Sequence, residues 1–144
     1  VIVVADTCAV LAAYDEDNPD SDGCAHALGA AGLVVVSPLV VAELDHMGTR
    51  LFGRAAARSI LADLRSRARI LRAVVPEVGP EVLDRAEVIR DRYCDLDLDL
   101  ADAVNVVLAD VYSTEMILTT DRRDFRAVRP LGKFKAFKLL PDDA

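Results

Sequence analysis

Carboxylates are the residues of this chain whose placement could do chemistry. Asp6 closes the apolar run Ile2-Val3-Val4-Ala5, and Asp121 closes another, Glu115 to Thr120. Glu43 falls on or beside the apolar stripe of a helix, three residues from Val40 and four from Met47. Asp102 stands three residues after Asp99, at the head of a helix with one apolar face: Leu100, Ala103, Val104, Val107, Leu108 and Val111. Were Asp6, Glu43, Asp102 and Asp121 to converge, they could not all stay ionised without compensation. Either their pKa values rise or a cation sits among them. No lysine or arginine is adjacent in sequence to Asp6, Glu43 or Asp102. Oxygen-only donors suit a hard cation, Mg2+ or Mn2+ before Ca2+. Such an ion lowers the pKa of a bound water and stabilises a leaving oxygen, the parts of phosphodiester hydrolysis.

Each acid also has a plain structural reading. Asp99 as N-cap and Asp102 at N3 suit a capped helix start favoured by the helix dipole. Glu43 could sit at the edge of its stripe and reach water, since a lone buried charge is costly. Asp99 reads first as the cap and second as a fifth acid of the site. Asp124 reads as a turn or salt-bridge residue. His26 and His46 are not brought together by any pattern, so a two-imidazole, metal-free cleavage is not indicated.

The elements that must position these acids alternate in type. Apolar, β-branched runs predict strands at Ile2–Ala5, Leu33–Val36, Ile70–Val75 and Glu115–Thr120, and the alternation of 135–139 predicts a half-buried edge strand. Helices are predicted over 8–14, 21–31, 81–93 and 100–112. Another starts at Ser37-Pro38, with serine as N-cap and proline at the first helical position. Gly48 is expected to interrupt that helix before a longer one, Leu51 to Arg67. Strand–helix alternation argues an α/β fold: a central, mainly parallel sheet with helices on both faces. In such sheets, sites form outside the carboxyl ends of the strands, where Asp6 and Asp121 fall.

With 144 residues the chain reads as one domain, 1–144, and 53% apolar content is ample for a core. The longest uncharged stretch, 27–42, holds two glycines, a serine and a proline and is too short to span a bilayer. The chain opens on a strand pattern without a basic leader region, and Cys8, Cys24 and Cys94 form no Cys-x-x-Cys pair. A reducing, cytoplasmic setting without a zinc site is expected. Net charge is −7, yet the cations are segregated. Seven arginines and one acid lie between Arg50 and Arg72, and seven basic residues and one acid between Arg122 and Lys138. These two stretches could flank a phosphate backbone, or they are solvated helix faces.

Four stretches resemble the motifs of the PIN domain: Val3-Val4-Ala5-Asp6-Thr7, Ser37 to Leu44, Leu98 to Ala103, and Leu118 to Phe125. The chain is similar, more narrowly, to the VapC toxins of bacterial toxin–antitoxin pairs, and Tyr93-Cys94-Asp95-Leu96 fits that subfamily. The resemblance implies a PIN-like three-layer α/β/α fold. It also implies a Mg2+- or Mn2+-dependent endoribonuclease acting on transfer or ribosomal RNA. The family is usually homodimeric and held inactive by a cognate VapB antitoxin. Asp6 and Asp102 map to the core metal ligands, Glu43 and Asp121 to the acids that complete the pocket, and Thr120 to a hydroxyl that orients it. A competing reading is a catalytically inert module that binds RNA or protein. A phosphoryl-transfer domain with strand-end aspartates fits less well. Asp6-Thr7-Cys8 lacks the second aspartate that dehalogenase-type sites need, and the paired acid and late lysine of receiver domains are missing.

Overall fold

The computed structural model describes all residues from Val1 to Ala144. The chain runs β1 (Ile2–Ala5), α1 (Thr7–Ala13), α2 (Ser21–Ala30), β2 (Leu33–Val35), α3 (Pro38–Phe52), α4 (Arg54–Arg69) and β3 (Ala73–Val74). It continues through α5 (Pro80–Arg92), a 3-10 turn (Cys94–Leu96), α6 (Leu100–Val111), β4 (Met116–Leu118), α7 (Arg122–Ala127) and β5 (Lys138–Leu140). The five strands form one sheet in the order β3-β2-β1-β4-β5, and every pairing is parallel.

Strand periodicity sorts the core into two layers. Successive side chains point to opposite faces of a sheet. Val3, Ala5, Val34, Val36, Leu118 and Leu140 therefore join α1–α4 in one apolar cluster. Val4, Val35, Ile117 and Leu139 join α5, α6 and α7 in the other. Both faces of each strand are covered, so the strands read as continuous apolar runs rather than alternating ones. The edge strand expected over 135–139 is an edge strand, but it is displaced to Lys138–Leu140, with 135–137 outside any strand and Leu139 and Leu140 both buried. The expected strand Ile70–Val75 shrinks to two residues, because Leu71 takes a positive φ of 61° and turns the chain just before β3.

Gly48 does not interrupt α3. It is buried within the helix, and an added Cβ there would lie 3.3 Å from the Ala57 Cβ of α4. Glycine is what lets these two helices approach. The break comes at Gly53, whose φ of 94° and ψ of 161° lie in a region essentially confined to glycine.

The order of connections matters for the site. From β1 the chain winds outward to β2 and β3, then returns to the other side of β1 to lay down β4 and β5. The strand order reverses between β1 and β4, and a crevice opens at their carboxyl ends. Asp6 follows β1 at that point, with its N–H bonded to the Leu118 carbonyl of β4 at 2.9 Å.

Candidate active site

Asp6 is only 5% exposed, and three donors hold its carboxylate. The Thr7 N–H donates to Oδ1 at 2.9 Å, the Thr119 hydroxyl to Oδ2 at 2.9 Å, and the Cys8 thiol to Oδ2 at 3.3 Å. Burial pushes the Asp6 carboxyl above its ordinary range, and the three donors oppose the shift. Thr119 also accepts from the Asp121 N–H at 2.9 Å, so one hydroxyl ties the first acid to the backbone of the last.

Three helices begin at this crevice, each with an aspartate as its N-cap. Asp6 caps α1, Asp99 caps α6 by accepting the Asp102 N–H at 2.9 Å, and Asp121 caps α7 by accepting the Asp124 N–H at 3.4 Å. Capping engages one oxygen of Asp99 and of Asp121 and leaves the other for other work, whereas both oxygens of Asp6 already accept a bond. It also directs three positive helix ends toward one place. Asp102 occupies the first turn of α6 and is half-buried. Burial, then the charges of Asp6, Asp99 and Asp121, raise its carboxyl to about 9.

Glu43 comes from the other side, one and a half turns into α3. The Thr7 hydroxyl donates to its Oε1 at 2.7 Å, and the side chain is partly exposed. It is therefore neither buried alone nor loose in water. Asp6, Thr7, Cys8, Glu43, Met47, Asp99, Asp102, Thr120 and Asp121 together line an open pocket of about 420 Å³. All four acids singled out in the sequence share it. Asp99 serves as cap and pocket wall at once.

Three residues differ from expectation. The hydroxyl on Asp6 belongs to Thr119, not Thr120, which lines the pocket one residue on. Thr7 holds Glu43, a contact spanning 36 residues of sequence that no local pattern announces. Asp124 makes none of the ion pairs of the chain. Its carboxylate instead comes within 4.8 Å of those of Asp102 and Asp121. The helical period places it there, three residues into α7.

The donor set fits a hard divalent cation. No arginine or lysine pairs with any pocket acid. Burial and the Asp6 charge raise the Cys8 thiol, so it stays protonated and acts as a donor, leaving oxygen ligands alone.

An all-parallel sheet with carboxylates gathered at its switch point defines a class of α/β domain built to work through acids rather than histidines. A family model described as PIN domain matches residues 3–130. Ribonuclease VapC26 of Mycobacterium tuberculosis is 40% identical over 131 residues, 90% of this chain and 94% of that protein. Three solved structures share the fold. The sarcin-ricin loop cleaving toxin VapC20 of M. tuberculosis superposes with a TM-score of 0.72 at 15% identity, covering 84% of this chain and 91% of the other. VapBC2 of Rickettsia felis, bound to a promoter DNA fragment, gives 0.67 at 14% identity, with 91% and 96% covered. A toxin–antitoxin complex from Klebsiella pneumoniae gives 0.61 at 17%, again with 91% and 96% covered. The chain belongs to the PIN-domain family and, within it, to the VapC ribonucleases of toxin–antitoxin systems.

Proposed function

We propose that this VapC ribonuclease hydrolyses structured RNA, transfer or ribosomal, at a Mg2+ or Mn2+ site formed by Asp6, Glu43, Asp102 and Asp121. The observation that carries the reading is the shared pocket: four carboxylates converge on it, and no basic side chain neutralises them. When bound, a divalent ion supplies an activated water and stabilises the leaving oxygen.

The chain's own residues set the conditions for this. Thr119, Thr7 and Cys8 lock the Asp6 carboxylate in one orientation, which preorganises its free lone pairs. Asp102, whose carboxyl burial and the neighbouring acids raise to about 9, would be one of the groups that hold the cation, and it would bind as the carboxylate. The N-termini of α1 and α6 give positive potential where a scissile phosphate would lie. Glu43 enters from α3 and closes the pocket opposite α6.

The wider setting follows from the relatives. VapC20 is named as a sarcin-ricin loop cleaving toxin, which supports a folded RNA loop as the substrate class here. The VapBC2 and Klebsiella complexes support a VapB-like antitoxin as partner and inhibitor. A homodimer in the cytoplasm completes the reading. No helix is long and apolar enough to cross a membrane.

The test is cleavage of total cellular RNA by purified, antitoxin-free chain with Mg2+ or Mn2+, against EDTA and against Asp102→Ala. Discrete fragments that vanish in both controls are expected. Fragments that persist in EDTA or with Asp102→Ala overturn the assignment.

A further inference from the structure

The two basic stretches of the sequence differ in how the fold gathers their charges: four arginines of the first line one groove. In the C-terminal stretch, Arg122 pairs with Asp20 and Asp142, and Arg126 pairs with Asp143. Asp20, Asp142 and Asp143 neutralise those two charges, while Arg123, Arg129, Lys133, Lys135 and Lys138 make no ion pair. In the α3–α4 stretch only Arg67 is paired. Asp63 is the one acid on α4, and it is occupied by the Tyr14 hydroxyl and by Arg67. Arg50, Arg54, Arg58 and Arg65 make no ion pair.

These four free arginines share one place. Together with Asp45, His46, Thr49 and Leu61 they line an open groove of about 790 Å³ between α3 and α4. Arg54, Arg58 and Arg65 recur at helical spacing on α4, and Arg50 faces them from the end of α3. Asp45 is the only acid of the lining. On a chain of net charge −7, four exposed and uncompensated arginines in one groove are a local reversal of sign. The groove and the acid pocket share no lining residue, but α3 contributes to both. Glu43 and Met47 line the pocket, while His46 and Arg50, one turn further along α3, line the groove. Arg50 lies about 10 Å along the helix axis from Glu43.

We propose that the α3–α4 arginine groove is the phosphate track that holds the RNA backbone beside the acid pocket. This rests on the ribonuclease reading above and assigns that site its substrate-binding surface. Guanidinium groups match phosphate oxygens through paired N–H donors, and such contacts position a strand without reading its bases. An acidic protein segment is the other polyanion that could lie there. RNA is favoured because α3 lines both the groove and the acid pocket, with Arg50 one turn beyond Met47, so a backbone held in the groove lies near the acids.

The experiment measures binding of fluorescein-labelled polyuridylate to the full chain in EDTA, across a range of salt concentrations. Arg54→Ala/Arg58→Ala is compared with Arg69→Ala/Arg92→Ala, which removes two arginines outside the groove. The expected result is weaker binding by the groove variant alone. Its log–log salt slope should be shallower by roughly 1.4, two phosphate contacts on a single strand. Cleavage of total RNA at limiting chain and saturating Mn2+ should fall for the groove variant and not for Arg69→Ala/Arg92→Ala. Equal slopes for the two variants, or no binding by the unaltered chain, overturn the groove. So does a groove variant that keeps RNA binding and loses only capture of an acidic VapB-like peptide. Loss of cleavage by the unaltered chain overturns the ribonuclease reading instead, and the two failures are thereby distinguished.

Discussion

Thr119 Oγ1 lies 2.9 Å from Asp6 Oδ2, joining the ends of β4 and β1 across the switch point of the sheet. The same oxygen accepts the Asp121 N–H, so a single buried hydroxyl sets the spacing of the first and fourth acids. Thr119→Val keeps the shape and removes the bond. A hydrogen bond to a charged group contributes about 1.5–3 kcal/mol, so RNA cleavage should fall roughly 10- to 100-fold. Thr119→Ser should retain most activity, and Thr120→Val should cost less than Thr119→Val. Rates on a fixed RNA at saturating Mn2+ decide this.

Thr7 plays the matching part for Glu43, with its hydroxyl 2.7 Å from Oε1. Thr7→Val frees the Glu43 carboxylate to rotate. Groups that orient a metal ligand typically carry about 10- to 100-fold in affinity. Calorimetric titration with Mn2+ should show at least the lower of those losses. Thermal stability should change little, because Glu43 is partly exposed.

Stability without metal should fall as pH rises. Asp102 has a folded pKa raised to about 9 from an ordinary 3.8, and Asp6 is shifted in the same direction. The folded chain therefore keeps protons that the unfolded chain releases. Stability is full below the ordinary carboxylate range and is lost progressively as pH rises above it toward the raised value of Asp102. Melting in EDTA at a series of pH values should show this decline. Asp102→Asn should flatten it and raise the metal-free melting temperature while abolishing cleavage. Added Mg2+ should reverse it, since binding is favoured where the carboxylates are already ionised.

Two glycines should respond oppositely to alanine. Gly53→Ala places a Cβ on a backbone with φ of 94° and should cost about 1–3 kcal/mol in denaturant unfolding. Gly29 sits within α2, with nothing within 4 Å of the position a Cβ would take. Gly29→Ala should stabilise by about 0.5–1 kcal/mol, because alanine loses less backbone freedom in a helix.

Local chemistry made much of this protein legible in its sequence. Period-two and period-3.6 patterns marked the strands and the helix faces, since burial acts on residues that are near neighbours in sequence. Asp6, Asp99, Asp102 and Asp121 stood out because strand ends and helix caps are local features, and parallel strands bring their carboxyl ends to one edge. Contacts between distant segments were decided only by the tertiary structure. Two successive threonines precede Asp121, and the register of β4 on β1, which pairs Ala5 with Leu118, sets Thr119 beside Asp6. The approach of α1 to α3 gives Glu43 its partner in Thr7. Close packing of α4 makes Gly48 a contact with Ala57 rather than a break. The charge on an arginine is written in the sequence, but its availability is not. Arg122 and Arg126 are neutralised by acids brought in from Asp20 and the chain's end, while Arg50, Arg54 and Arg58 are left facing solvent. Coulomb interactions act through space, so only the fold decides which charges cancel.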